Sequence, residues 1–177
     1  MSGPSKGIEK ADVQIKWDPS PSGAAAHDLD IIAATYRADD PHGAPVYLVH
    51  FDSRSPDGTI TLSRDSTTGQ GFGFDEIMSF EFERLAESYG RVVVGVVIQQ
   101  RGGRTTFGDV AGTRVRVVEG YIELAEDDFA SVAGATAATV AEFARDGSAG
   151  WAFRKDVRGF DVSGPEEFSR VMGAPPA

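Results

Sequence analysis

The chain has 177 residues, 41% of them hydrophobic, with 27 acidic against 17 basic side chains and no cysteine. A domain of that length buries about 70% of the surface its unfolded chain exposes, so it needs neither a disulfide nor a metal merely to fold. The missing cysteines exclude thiolate metal sites and cysteine nucleophiles and fit a reducing compartment. A net charge of −10 repels phosphate backbones, which excludes nucleic acid as the expected partner, and it raises the local concentration of cations.

No apolar run reaches the roughly 20 residues that cross a bilayer, so the chain is not expected to span a membrane. The first ten residues, MSGPSKGIEK, lack the apolar stretch of a secretory signal. The expectation is a cytoplasmic protein with a poorly ordered leader over residues 1–10 and one domain over residues 11–173.

In chain order, Val13 to Trp17 alternates apolar and polar residues, the period of a half-buried strand. Pro19 and Pro21 then break the ladder. Asp28 to Arg37 reads as a strand with Leu29, Ile31, Ala33 and Thr35 on one face and Asp28 and Asp30 on the other. Val46 to Phe51 and Thr59 to Leu62 read as a hairpin around the turn signal Pro56-Asp57-Gly58. Ile77 to Glu83 turns Met78, Phe80 and Phe82 toward the core.

Arg91 to Gln100 is apolar on both faces and is expected to be central. Thr113–Glu119 and Tyr121–Leu124 form two more strands, broken at Gly120. Val132, Thr136, Val140 and Phe143 recur at spacings of three and four, which predicts a helix over 131–145. Trp151 to Lys155 is a last strand. Ser163 and Glu166 have the spacing of a capping box for a short final helix that turns Phe168, Val171 and Met172 inward. The fold class is mostly β: a β-sandwich of antiparallel strands with one or two short helices near the C-terminus.

The stretch that carries chemistry is Asp65 to Glu76, DSTTGQGFGFDE. Gly69, Gly71 and Gly73 permit a curling backbone whose carbonyls point inward. With Asp65, Asp75 and Glu76 at its ends it offers oxygen ligands of the kind a hard cation takes. A Gly-rich surface loop is the other reading of the same residues. An EF-hand does not fit, because Gln70 stands where its glycine belongs and strands flank the loop. There is no serine-hydrolase elbow and no phosphate-binding Gly-Lys loop, so no enzymatic activity is expected. A metal-assisted hydrolase built on the carboxylates is the least favoured alternative.

Several pieces then occur in a recognisable order: Trp17-Asp18-Pro19, Asp28-Leu29-Asp30, Ser55-Pro56-Asp57-Gly58, the Gly-rich loop, Phe107-Gly108-Asp109-Val110 and Trp151-Ala152-Phe153-Arg154. Together they resemble the TerD family of tellurium-resistance stress proteins over about residues 11–172. The resemblance implies a bacterial cytoplasmic β-sandwich that binds calcium through the Asp-x-Asp strand and the acidic loop. It implies a role in resistance to tellurite and other stresses with no established enzymatic activity, and the expectation is a protein that acts by binding partners, not by turnover.

Carried over by position, the implied metal residues are Asp28, Asp30, Asp65, Gly69, Gly71, Asp75 and Glu76. The loop departs from the family pattern where Ser66 replaces Asn, Gln70 replaces Glu, and Phe72 and Phe74 replace two Asp. The N-terminus reads as shorter than the family's. Three missing carboxylates imply a weakened calcium site. The alternative is a metal-free interaction module in which Phe72 and Phe74 contact a partner or pack the loop from beneath.

Overall fold

The computed structural model describes residues 7–174 except 22, 24, 25, 52, 65–73, 101, 102, 148 and 149. Two antiparallel sheets pack face to face, in keeping with a mostly β sandwich. The strands are β1 (Lys10–Lys16), β2 (Leu29–Arg37), β3 (Tyr47–Val49), β4 (Ile60–Arg64), β5 (Glu76–Glu81) and β6 (Tyr89–Ile98). They continue with β7 (Arg114–Glu119), β8 (Ile122–Asp127), β9 (Ala137–Arg145), β10 (Trp151–Lys155) and β11 (Gly159–Phe160), followed by helix α1 (Pro165–Val171). One sheet has the order β4-β5-β1-β7-β8, and the other β10-β9-β6-β2-β3, with β11 paired to β9.

Period-two alternation builds the layer between the sheets. Ala11, Val13 and Ile15 of β1 and Met78 and Phe80 of β5 meet Leu29, Ile31 and Ala33 of β2 and Val92, Val94, Val96 and Ile98 of β6. The opposite face of β2 and β6 presents Ile32, Ala34, Tyr36, Val93 and Val97, which α1 covers with Phe168 and Met172. Central β6 is therefore apolar on both faces, as its composition predicts. Gly95 lets the helix approach: a Cβ there would lie 2.6 Å from the Phe168 ring.

Three expectations are corrected. The stretch 131–145 is not a helix: β9 occupies 137–145, between β6 and β10, and only a short 3-10 turn forms at Ala130–Val132. Its alanines fit both covered faces of a central strand, and sheet pairing overrides their helical preference. The segments around Pro56-Asp57-Gly58 are not a hairpin either. Gly58 does take a left-handed turn conformation, with φ of 73°, but β3 pairs with β2 while β4 pairs with β5 of the other sheet. The Ser163–Glu166 box is replaced by a link one residue on, where Ser163 N–H and Oγ–H both donate to Glu167 Oε2. Pro165 suits the first turn of α1 because its missing N–H has no intrahelical partner there. At the N-terminal end β1 begins at Lys10, and Ile8 N–H donates to the Trp151 carbonyl at 2.8 Å.

Candidate functional site

The ends of β1 and β6 and the starts of β2 and β5 converge at one end of the sandwich, and four carboxylates are buried there. Asp28, Asp30, Asp75 and Glu76 are each no more than 4% exposed. Glu76 occupies an inward position of β5, next in the alternation to Met78 and Phe80. Its Oε1 reaches across to the other sheet and accepts the Ile31 N–H of β2 at 2.7 Å. That amide is available because short β3 pairs with β2 only at Ala33 to Thr35. A buried amide without an acceptor costs about 1–3 kcal/mol, so Glu76 finishes the β2 edge where β3 stops.

Asp75 closes the β1–β5 ladder. Its N–H donates to the Ile15 carbonyl at 2.8 Å, and its Oδ2 accepts the Trp17 N–H at 2.9 Å. The Trp17 indole then turns away from Asp75 and donates from Nε1 to the His27 carbonyl at 2.9 Å, next to Asp28. Gln99, just past β6, holds the strand pair twice. Its N–H donates to the Asp28 carbonyl and its Nε2 to Asp30 Oδ2, both at 2.9 Å. Asp30, Asp75 and Glu76 thus each accept a hydrogen bond from an amide, which fixes the position of one oxygen of each carboxylate.

The structure therefore brings Asp28, Asp30, Asp75 and Glu76 to one end of the sandwich. Asp65, Gly69, Gly71 and Phe72 lie outside the described residues. Phe74 is half-buried beneath the Arg116 guanidinium, which stands 4.8 Å from its ring centroid. Arg116 is itself held by Gln14, whose Oε1 accepts from Nη2 at 2.8 Å. Among the described residues, no group of three or more His, Asp or Glu side chains is arranged to hold a metal ion. The donor set does fit a hard cation in kind, since buried carboxylates and backbone carbonyls are the ligands calcium takes.

Sequence reading missed Gln99 and the joining role of Trp17. The Trp17-Asp18-Pro19 motif marked the position of the tryptophan, but not the two segments it connects. A cleft of about 590 Å³ opens elsewhere, between β3 and β4, and is lined by residues including Val49, Phe51, Arg54, Ile60 and Leu62. None of the four carboxylates forms its wall. Among the described residues, no helix is long and apolar enough to cross a membrane.

Comparison with known proteins matches this arrangement to a family. The family model described as TerD domain matches residues 1–163. A tellurium resistance protein TerD from Alcaligenes sp. is 28% identical over 147 residues, covering 80% of this chain and 76% of the relative. A solved homologue of telluride resistance protein (TerD) from Streptomyces coelicolor A3(2) is 59% identical, with a TM-score of 0.93 over 96% of this chain and all of that one. A second solved structure, of a protein of unknown function, is 57% identical, with a TM-score of 0.94 over 97% of this chain and all of its own. The chain belongs to the TerD family of tellurium-resistance-type proteins.

Proposed function

We propose that this TerD-family protein binds calcium at the acidic end of its sandwich and acts in the bacterial cytoplasm through a protein partner, without turnover. The observation that carries this reading is the convergence of four buried carboxylates on the ends of β2 and β5. Asp28, Asp30, Asp75 and Glu76 would hold the ion, joined from the Gly-rich loop by Asp65 and by the carbonyls of Gly69 and Gly71. A bound calcium would supply positive charge to balance the clustered carboxylates, whose oxygens would coordinate it. The chain's own residues do the placing: Gln99 orients Asp30, the Trp17 amide orients Asp75, and the Ile31 amide orients Glu76. Gln70, Phe72 and Phe74 lower the carboxylate count of the loop, and fewer charged ligands mean weaker binding.

Calorimetric titration of chelator-stripped protein tests this, with magnesium as control. Saturable calcium binding is expected, lost in Asp28→Ala and in Asp75→Ala. At a hundred times Kd, calcium should stabilise the fold by about 2.7 kcal/mol, read as a rise in Tm. No binding at millimolar calcium overturns the metal assignment. Phosphatase and esterase assays with magnesium, manganese or calcium should stay at background, and turnover abolished by Asp75→Ala would overturn the non-enzymatic reading.

One observation favours the metal-free alternative. Phe74 stacks under Arg116 beside Gln14, so an aromatic ring anchors the chain where the family has a carboxylate. In that reading Phe72→Asp with Phe74→Asp raises calcium affinity and costs stability or partner binding. A double variant indistinguishable from the parent would remove any special role for the two rings.

A further inference from the structure

We infer that Trp17 is the positioning residue that sets the Asp28–Asp30 strand pair against Asp75 and Glu76. This rests on the calcium reading above for its effect on the ion, but the clamp is visible without it. Trp17 is 2% exposed and makes two hydrogen bonds to two separate segments. Its backbone N–H donates to Asp75 Oδ2, on the chain that enters β5 of one sheet. Its indole Nε1–H donates to the His27 carbonyl, immediately before the Asp28 that leads into β2 of the other sheet. The next residue is tied as well, since Asp18 N–H donates to the Ala111 carbonyl at 2.8 Å. The tryptophan therefore cannot shift without moving Asp75 or the start of β2. The Glu76–Ile31 bond crosses the same gap between sheets. Among the described residues the indole bond and the Glu76–Ile31 bond both bridge that gap, and losing the indole leaves all four carboxylates chemically intact.

A site built from two sheets depends on their separation more than one built on a single loop. A clamp that carries no ligand atom can then tune affinity by holding distances. The other tryptophan supplies the control. Trp151, at the start of β10, is equally buried but lies at the far end of the sandwich, under Arg145 and against Phe82.

The test compares Trp17→Phe with Trp151→Phe in full-length, chelator-stripped protein. Trp17→Phe removes the indole donor and keeps a ring. It should weaken calcium binding about three- to tenfold, the factor that follows from one hydrogen bond. It should also speed hydrogen exchange at the Ile31 amide in the metal-free protein by a similar factor. Trp151→Phe should lower Tm and leave both readouts unchanged. If Trp17→Phe fails to fold, Trp151→Phe leaves Trp17 as the sole indole, and its fluorescence should shift with calcium at the calorimetric midpoint.

Unchanged calcium affinity and unchanged Ile31 exchange in Trp17→Phe overturn the clamp, as does calcium binding that leaves Trp17 fluorescence unmoved. A parent protein that binds no calcium overturns the proposed function and the metal half of this inference. Accelerated Ile31 exchange in Trp17→Phe would then still uphold the mechanical half.

Discussion

The strand pair β2–β6 carries buried charge at both ends, and the two ends handle it differently. At one end Arg91 is buried and pairs through Nε with Glu142 Oε2 at 2.8 Å. Its Nη1 donates to the carbonyls of Pro41 and Gly173, and its guanidinium lies over the Tyr36 ring. Arg154 reaches Glu142 from the solvent side at 3.1 Å. At the other end Asp30 is held by the Gln99 amide, and Asp75 and Glu76 by backbone amides. Glu142 is committed to its arginines and does structural work. At the acidic end the amides of Gln99, Trp17 and Ile31 fix where carboxylate oxygens of Asp30, Asp75 and Glu76 sit.

The largest break of this comparison is expected at the paired end. Arg91→Ala leaves Glu142 with Arg154 alone and takes the donor from the Pro41 and Gly173 carbonyls. With charge-assisted hydrogen bonds contributing about 1.5–3 kcal/mol each when well buried, the loss should come to about 3–5 kcal/mol. Denaturant unfolding should show the loss as a lower midpoint at unchanged slope. A cost under about 1 kcal/mol, the range of surface pairs, would mean that Arg91 contributes no more than Arg154.

The same end should give the protein an acid-sensitive step. Burial works to raise the Glu142 pKa, but the hydrogen bonds and charges of Arg91 and Arg154 together outweigh it and hold the carboxyl below its ordinary 4.5. A depressed folded-state pKa contributes stability that is fully present above the unfolded value. That stability is lost as pH falls below about 4.5 and through the folded value. Glu142→Gln should lower stability at neutral pH and flatten this part of the profile, read as Tm against pH from neutrality down into the acid range. A parallel loss at every pH would place the acid step elsewhere.

Both ends differ in how far they can be read from sequence, for physical reasons. Asp28, Asp30, Asp75 and Glu76 stand out because acidic residues beside strand patterns and glycines are conspicuous. Their supports are not: the donors are the Trp17 and Ile31 amides, present in any sequence, and a glutamine brought in from β6. Arg91 likewise reads as the polar end of an apolar strand until α1 and the Pro41 turn close over it. The strands with one covered face, β1 and β5, were legible from period-two alternation. In β9 both faces are covered, so Ala137, Ala138, Val140, Ala141 and Phe143 form an apolar run that also satisfies a helical period. The split of β3 and β4 between sheets is a non-local choice, settled by which partner strand each one meets.

The smallest predicted effect sharpens the comparison most. Gln99→Ala removes one neutral donor from Asp30 and keeps the backbone bond from residue 99 to the Asp28 carbonyl. A hydrogen bond to a charged group contributes about 1.5–3 kcal/mol when well buried, and less where it is partly solvated. Gln99→Ala should therefore cost about 1–2 kcal/mol, well under the cost of Arg91→Ala. The informative readout is calcium affinity, since Arg91→Ala acts far from the acidic end and should leave it unchanged in the folded fraction. If Gln99 only fills space, Gln99→Leu restores the lost stability and leaves affinity at the parental value. If it aims Asp30, Gln99→Leu recovers neither the stability of the lost hydrogen bond nor the affinity, which stays severalfold weaker, and that outcome separates orientation from packing at this position.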